Sequence, residues 1–178
     1  MDKIACFTGH RKFDCPQKTV QQGIEQLIQV AIDNKVNHFW CGMAIGTDLL
    51  AAKVLACNGL PWTAIIPCLD QSSKWPKHYQ KTYFALLSQA SDDIILQSEY
   101  SSGCFNRRNA WMVKHSDLLL SVWNNKHTKG SGTYNTIRMA QKKGLTIVNF
   151  NPLTNSIVYF KPKPKPSTVS IQLTIQFD

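Results

Sequence analysis

"DLLLSVWNNKHTKGSGTYNTIRMAQKKGLTIVNF", residues 117–150, reads as a strand, a turn, a helix and a second strand. The runs "DLLLSVW" (117–123) and "LTIVNF" (145–150) are apolar without alternation. That is the pattern of strands covered on both faces. Between them, "GTYNTIRMAQKKG" (132–144) has helical character and ends in basic residues and a glycine. Cations there suit the negative end of a helix dipole, and glycine suits the turn that stops it.

The same alternation continues towards the N-terminus. Further strand-like runs are "KIACFT" (3–8), "HFWCGM" (38–43), "WTAIIPC" (62–68) and "DIILQ" (93–97). The helix candidates between them are residues 17–34, 46–59, 74–91 and 105–116. In the first, Val20, Ile24, Leu27, Ile28 and Ala31 form one stripe, with Pro16 just before it. Alternating strands and helices predict an α/β fold: a Rossmann-like, doubly wound, mainly parallel sheet of about six strands flanked by helices. Residues 1–151 make the nucleotide-binding domain of this reading. Residues 152–178 form a Lys-Pro linker and a short C-terminal β extension. There "KPKPKP" (161–166) is a stiff spacer, and "STVSIQLTIQFD" (167–178) alternates as an appended strand does. That strand is suited to pairing with a sheet edge or with another subunit.

Composition narrows the function classes. The chain has 178 residues, 43% of them hydrophobic, so it can build a core. No apolar run reaches the length of a membrane span, and the start "MDKIACFTGHRKF" lacks a signal-peptide layout. The expectation is a cytoplasmic protein with no membrane partner. The six cysteines make no C-x-x-C pair and no zinc spacing, which predicts buried reduced thiols and no metal site. Cys41 and Cys104, near loops, are the candidates for a reactive thiol. A net charge of +9 favours anionic partners. The basic residues cluster at 10–12, 107–108, 126–129 and 161–165, so a local anion pocket fits better than a uniform nucleic-acid face.

In a doubly wound sheet the ligand sits at the carboxyl ends of the strands, and the unusual residues lie there. After the first strand come Thr8, Gly9, His10 and Arg11. After the second comes "CGMAIGTDLLAA", where Gly42, Ala44 and Gly46 bring backbone near a ligand and Thr47 opens a helix. Asp48 there has two readings: an acceptor for ribose or base, or a partner for backbone donors and the helix dipole. After the fifth strand come Gly130, Ser131, Gly132 and Thr133, a turn suited to phosphate through its amides and hydroxyls. It is neither a Walker A nor a G-x-G-x-x-G motif, and a plain turn is the alternative. In "NRRNAWMVKHSD" (106–117), Arg107 or Arg108 is suited to clamp an anion, and Asn109 to read a base or the backbone. Tyr100 and Trp123 are candidate stacking rings; Trp111, Met112 and Val113 read as core.

Taken together, "TGHR", "CGMAIGTDLLAA", "RRNAWMVKHSDLLLSVWNN" and "KGSGTYNTIRMAQKKG" resemble the SLOG superfamily, most closely its YpsA-like branch, over residues 3–150. The resemblance implies a Rossmann-like fold that binds nucleotides or nucleotide-derived ligands, in dimers or larger homo-oligomers. The superfamily also holds DNA-processing protein A and the Lonely Guy phosphoribohydrolases. The family's glycine elements fall on Gly42, Gly46, Gly130, Gly132 and Thr133, and its basic position on Arg107 or Arg108. The Lonely Guy enzymes carry an acid after their Gly-Thr; here Asn135 or Thr136 stands in its place, and neither can act as a carboxylate base.

The leading expectation is therefore a binder of an ADP-ribose-type or cyclic nucleotide signal, acting as sensor, regulator or sequestering protein. No catalytic residue is assigned. A nucleotide-processing enzyme using Asp48 is one alternative. A single-stranded DNA binder is another, supported by charge but not by an evident groove of basic and aromatic residues.

Overall fold

The computed structural model describes residues 2–126 and 130–160. Twelve elements follow one another: β1 (Ile4–Gly9), α1 (Gln17–Asp33), β2 (His38–Cys41), α2 (Thr47–Cys57), β3 (Trp62–Ile66), α3 (Lys77–Leu87), β4 (Asp92–Ile95), α4 (Cys104–His115), β5 (Leu118–Val122), α5 (Gly132–Lys143), β6 (Thr146–Asn151) and β7 (Ser156–Phe160). The strands form one sheet in the order β4-β3-β2-β1-β5-β6-β7. Every neighbouring pair is parallel except β6 with β7, which is antiparallel.

Strand burial follows from the apolar runs. Every residue of β3 and β5 is buried, because helices cover both faces of the sheet. Alternate residues enter opposite cores. Ala5 and Phe7 of β1, Leu118, Leu120 and Val122 of β5, and Val148 and Phe150 of β6 join the core under α1, α2 and α3. Cys6, Leu119 and Ile147 turn the other way, to the core under α4 and α5. The predicted stripe of α1 is buried as a unit: Val20, Ile24, Leu27, Ile28 and Ala31, with Gly23 among them.

Element ends depart from the apolar runs for local reasons. β2 stops at Cys41 because Gly42 and Met43 turn away, with Met43 at a φ of 57°. β3 stops at Ile66, before Pro67, which has no N–H for a ladder. α3 begins at Lys77, since Pro76 in front of it has an extended ψ of 143°. "SIVYF" becomes the seventh strand, pairing Ile157 with Phe150 and Phe160 with Ile147. The appended strand expected at 167–178, with its Lys-Pro linker, lies outside the described residues.

Two ties hold α4 and α5 together. Lys143 Nζ donates to the carbonyls of Val113 and Ser116, 2.9 and 2.7 Å away, closing the end of α4. At the other end Asn109 Nδ2 donates to Thr136 Oγ1 at 3.0 Å. The chain builds outward from β1 to β4, then crosses back to place β5 on the other side of β1. The strand order thus reverses between β1 and β5, which opens a crevice at their carboxyl ends.

Candidate functional site

A cavity of about 430 Å³ occupies that crevice. β1 and the turn after it supply Thr8, Gly9, His10 and Arg11 to its lining. The start of α2 supplies Ala44, Ile45 and Asp48, and α4 supplies Arg108 and Asn109. Gly130, Ser131, Gly132 and Thr133 close it from α5.

The α5 wall is suited to an anion. The first amides of a helix have no intrahelical acceptor, and they carry the positive end of its dipole. Ser131 caps α5, its hydroxyl accepting from the Tyr134 N–H at 3.3 Å. Gly132 and Thr133, whose amides come earlier in the helix, line the cavity. Gly130 has a φ of +82°, so this turn requires a left-handed residue. A side chain added at Gly132 would meet open space.

The floor is a buried ion pair. Arg108 is 3% exposed and Asp48 8%, with Arg108 Nη1 3.9 Å from Asp48 Oδ2. Arg108 Nη1 also donates to the carbonyls of Gly42 and Ile65, and its Nε donates to Asn109 Oδ1 at 2.8 Å. Asp48 Oδ2 accepts from the Ala44 N–H at 3.2 Å. Burial pushes the Asp48 carboxyl above its usual range, and Arg108 opposes that shift. Burial likewise lowers Arg108, with Asp48 opposing. A guanidinium so committed lends the cavity positive potential and shape rather than a mobile clamp.

His10 is half-buried beside the mouth. Its Nε2 accepts from the Asn124 N–H at 3.2 Å, which fixes a neutral ring with the proton on Nδ1. Burial lowers its pKa from the ordinary 6.5. Arg11 is exposed, with its guanidinium 5.8 Å from the centroid of the Phe105 ring.

Several expected residues have other surroundings. Gly42 makes room for protein rather than ligand: a Cβ there would overlap the Arg108 guanidinium. Gly46, at a φ of +96°, makes room for the backbone of His10 and Arg11. The Thr47 amide and hydroxyl both donate to the His10 carbonyl at 3.1 Å, so protein already occupies the start of α2. Of the two glycine turns, that of α5 brings its glycines to the cavity, whereas that of α2 brings Ala44 and Ile45 but neither Gly42 nor Gly46. Arg107 turns away, donating to Ser102 O at 2.8 Å and to Gln97 Oε1 at 3.0 Å. Tyr100 lines an adjoining cavity instead. Trp123 is buried, and its Nε1 donates to Lys126 O at 3.1 Å, so it is not a stacking ring for a ligand. Thr136 donates to Gly132 O at 2.7 Å, within the α5 turn it follows.

The cysteines correct one expectation. Cys41 and Cys104 are both buried, and burial drives the Cys41 thiol strongly upward. The exposed thiol is Cys57, at the end of α2. Among the described residues no group of three or more His, Cys, Asp or Glu is placed to hold a metal, and no helix is long and apolar enough to cross a membrane. Other contributors went unread in the sequence. Phe105 and Asn106 line the cavity from the first turn of α4; an aromatic residue opening that helix was the available signal. Gln71 braces the turn before α2 by donating to Met43 O at 2.8 Å, and its place in the chain gives no sign of this.

The model of the YspA SLOG family (YpsA) matches residues 5–153. The chain belongs to this family. No curated protein matches it at a significant level. Solved structures share the fold of this YpsA-family chain. DNA processing protein A from Streptococcus pneumoniae has a TM-score of 0.60 and 21% identity, over 83% of this chain and 50% of that one. The Helicobacter pylori protein of that name, solved for its single-stranded DNA binding mode, has a TM-score of 0.58 and 20% identity, over 83% and 64%. The molybdenum cofactor carrier protein of Chlamydomonas reinhardtii has a TM-score of 0.53 and 15% identity, over 84% and 76%. The chain thus spans half the length of the Streptococcus protein.

Proposed function

We propose that this YpsA-family chain binds a phosphate-bearing, nucleotide-derived small molecule in the crevice between β1 and β5, as a sensor, regulator or sequestering protein. One observation carries the reading. Gly132 and Thr133, at the start of α5, line one cavity together with His10 and Arg11. Amides at a helix start, a dipole and a nearby guanidinium together favour a phosphate group. The Thr8 and Ser131 hydroxyls, which also line the space, add polar partners for such a ligand. Binding is preferred to turnover because Asp48, the acid of this lining, is engaged by Arg108 and the Ala44 amide. An ADP-ribose-type or cyclic nucleotide ligand fits these terms, and a homo-oligomeric assembly accompanies the proposal.

Single-stranded DNA is the second reading. A basic groove next to the cavity favours it: Lys12, Lys53 and His78 join Arg11 there. A protein of similar fold, DNA processing protein A, binds that ligand.

A thermal-shift screen at fixed salt separates these readings, followed by chromatography of each mixture. The panel holds mononucleotides, NAD, ADP-ribose, cyclic nucleotides and a short single-stranded oligonucleotide. A ligand that binds only the folded state raises the melting temperature by mass action. The expected result is a shift from a phosphorylated small molecule recovered intact. A shift from the oligonucleotide alone, falling steeply with salt, would replace the proposal with DNA binding. A consumed ligand would replace it with catalysis.

A further inference from the structure

Beside Arg11 lies a second cavity of about 350 Å³ with different chemistry. Arg11, Ala44 and Phe105 line both spaces, so the two lie side by side. The first cavity offers hydroxyls and open helix amides. The second offers three aromatic side chains: Trp75, Tyr100 and Phe105.

These rings are already arranged around one another. The Tyr100 and Phe105 centroids lie 6.2 Å apart. The Arg11 guanidinium sits over the Phe105 ring, and both residues line both cavities. Trp75 is fixed from behind by Tyr83, edge-on at 5.5 Å, and Tyr83 is buried. Tyr100 is 59% exposed and lies in the loop between β4 and α4. Trp75 is therefore backed by a buried ring, whereas Tyr100 is open to solvent. Asp70 and Ser73 on the same lining offer an acceptor and a hydroxyl.

We propose that this second cavity is the heterocycle subsite of the ligand whose phosphate lies at the start of α5. The inference rests on that phosphate reading and names the ligand class further: a nucleoside phosphate, not a sugar phosphate or an inorganic anion. Its base stacks on the Tyr100 and Phe105 rings, and Asp70 accepts from an amino group on the base edge. Its sugar crosses beside Ala44 and Arg11, the residues common to both spaces. Aromatic rings suit this task because every base presents a π face.

Calorimetric titration with adenosine 5′-monophosphate and ribose 5-phosphate tests it, since the two probes share a phosphate end and differ in the base. The wild-type chain is expected to bind the nucleotide at least about tenfold tighter, the order that stacking supplies. Tyr100→Ala is expected to remove most of that margin and to leave ribose 5-phosphate binding unchanged; Tyr100→Phe, which keeps the ring, is expected to restore it. Tyr100 is exposed, so the variants should fold, and an unchanged melting temperature checks this. Equal affinity for the two probes, or a loss in Tyr100→Ala that is the same for both, would overturn the subsite and leave the phosphate reading standing. Binding of neither probe would overturn the phosphate reading and the subsite with it.

Discussion

Arg108 shows how a residue can be legible in type and misread in role. An arginine at a helix start suggests an anion clamp, and its neighbour Arg107 looked equivalent in the sequence. The difference is burial, which depends on the helix face that meets the sheet and on a partner sixty residues earlier in the chain. Arg108 faces inward to Asp48 and two carbonyls, whereas Arg107 faces a loop. Arg108→Ala would strand a buried carboxylate and should cost about 3–5 kcal/mol of stability. Adding Asp48→Asn should recover part of that loss, and a double-mutant cycle by urea unfolding measures the coupling. His10 carries a pH prediction. Its folded pKa lies below the ordinary 6.5, so the unfolded chain binds the proton more readily as the pH falls. Its contribution to stability is present above about pH 6.5 and is lost as the pH falls through that value toward the lower folded pKa. Protonation would also break the bond from the Asn124 amide. His10→Gln should flatten this slope in a series of melting curves from pH 7.5 to pH 5, whereas an unchanged slope would assign the titration elsewhere.

At the scale of elements, α1 illustrates what close packing demands. Gly23 lies on its buried face, where alanine would ordinarily be the better helix former by about 1 kcal/mol. A Cβ at that position would overlap the Phe150 ring, which is fully buried in β6. Overpacking a core costs about 1–3 kcal/mol, so the clash should outweigh the helix preference. Gly23→Ala is therefore expected to lower the denaturant midpoint rather than raise it. The existence of α1 was readable from its stripe, but the reason for Gly23 was not, because Phe150 is far away in sequence. The same limit applied at the start of α2. Gly46 and Thr47 looked like a second phosphate turn, yet the His10 carbonyl takes both the amide and the hydroxyl of Thr47. Only tertiary structure reveals which of two similar helix starts is already occupied.

For the whole molecule, the sequence pattern carried most of the fold. Continuous apolar runs signalled strands covered on both faces, and helix-period segments between them signalled parallel crossovers; β1 to β6 and all five helices lie where those patterns placed them. Strand order is not written in periodicity, and it is strand order that puts the crevice between β1 and β5 and gathers three loops and α4 there. The seventh strand was not among the apolar runs, because an antiparallel edge strand buries one face at most. The central claim is that this crevice, through the open start of α5, holds a phosphorylated small molecule. Gly132 offers the most direct probe. A Cβ there meets no protein atom within 4 Å, so Gly132→Val should fold as the parent does while intruding on the space the phosphate would need. The decisive measurement is calorimetric titration of the parent and Gly132→Val with the small molecule that stabilises the parent best. The account predicts at least tenfold weaker binding by a variant whose own melting temperature is unchanged. Equal affinity for the two proteins would contradict it and place the ligand elsewhere on the molecule.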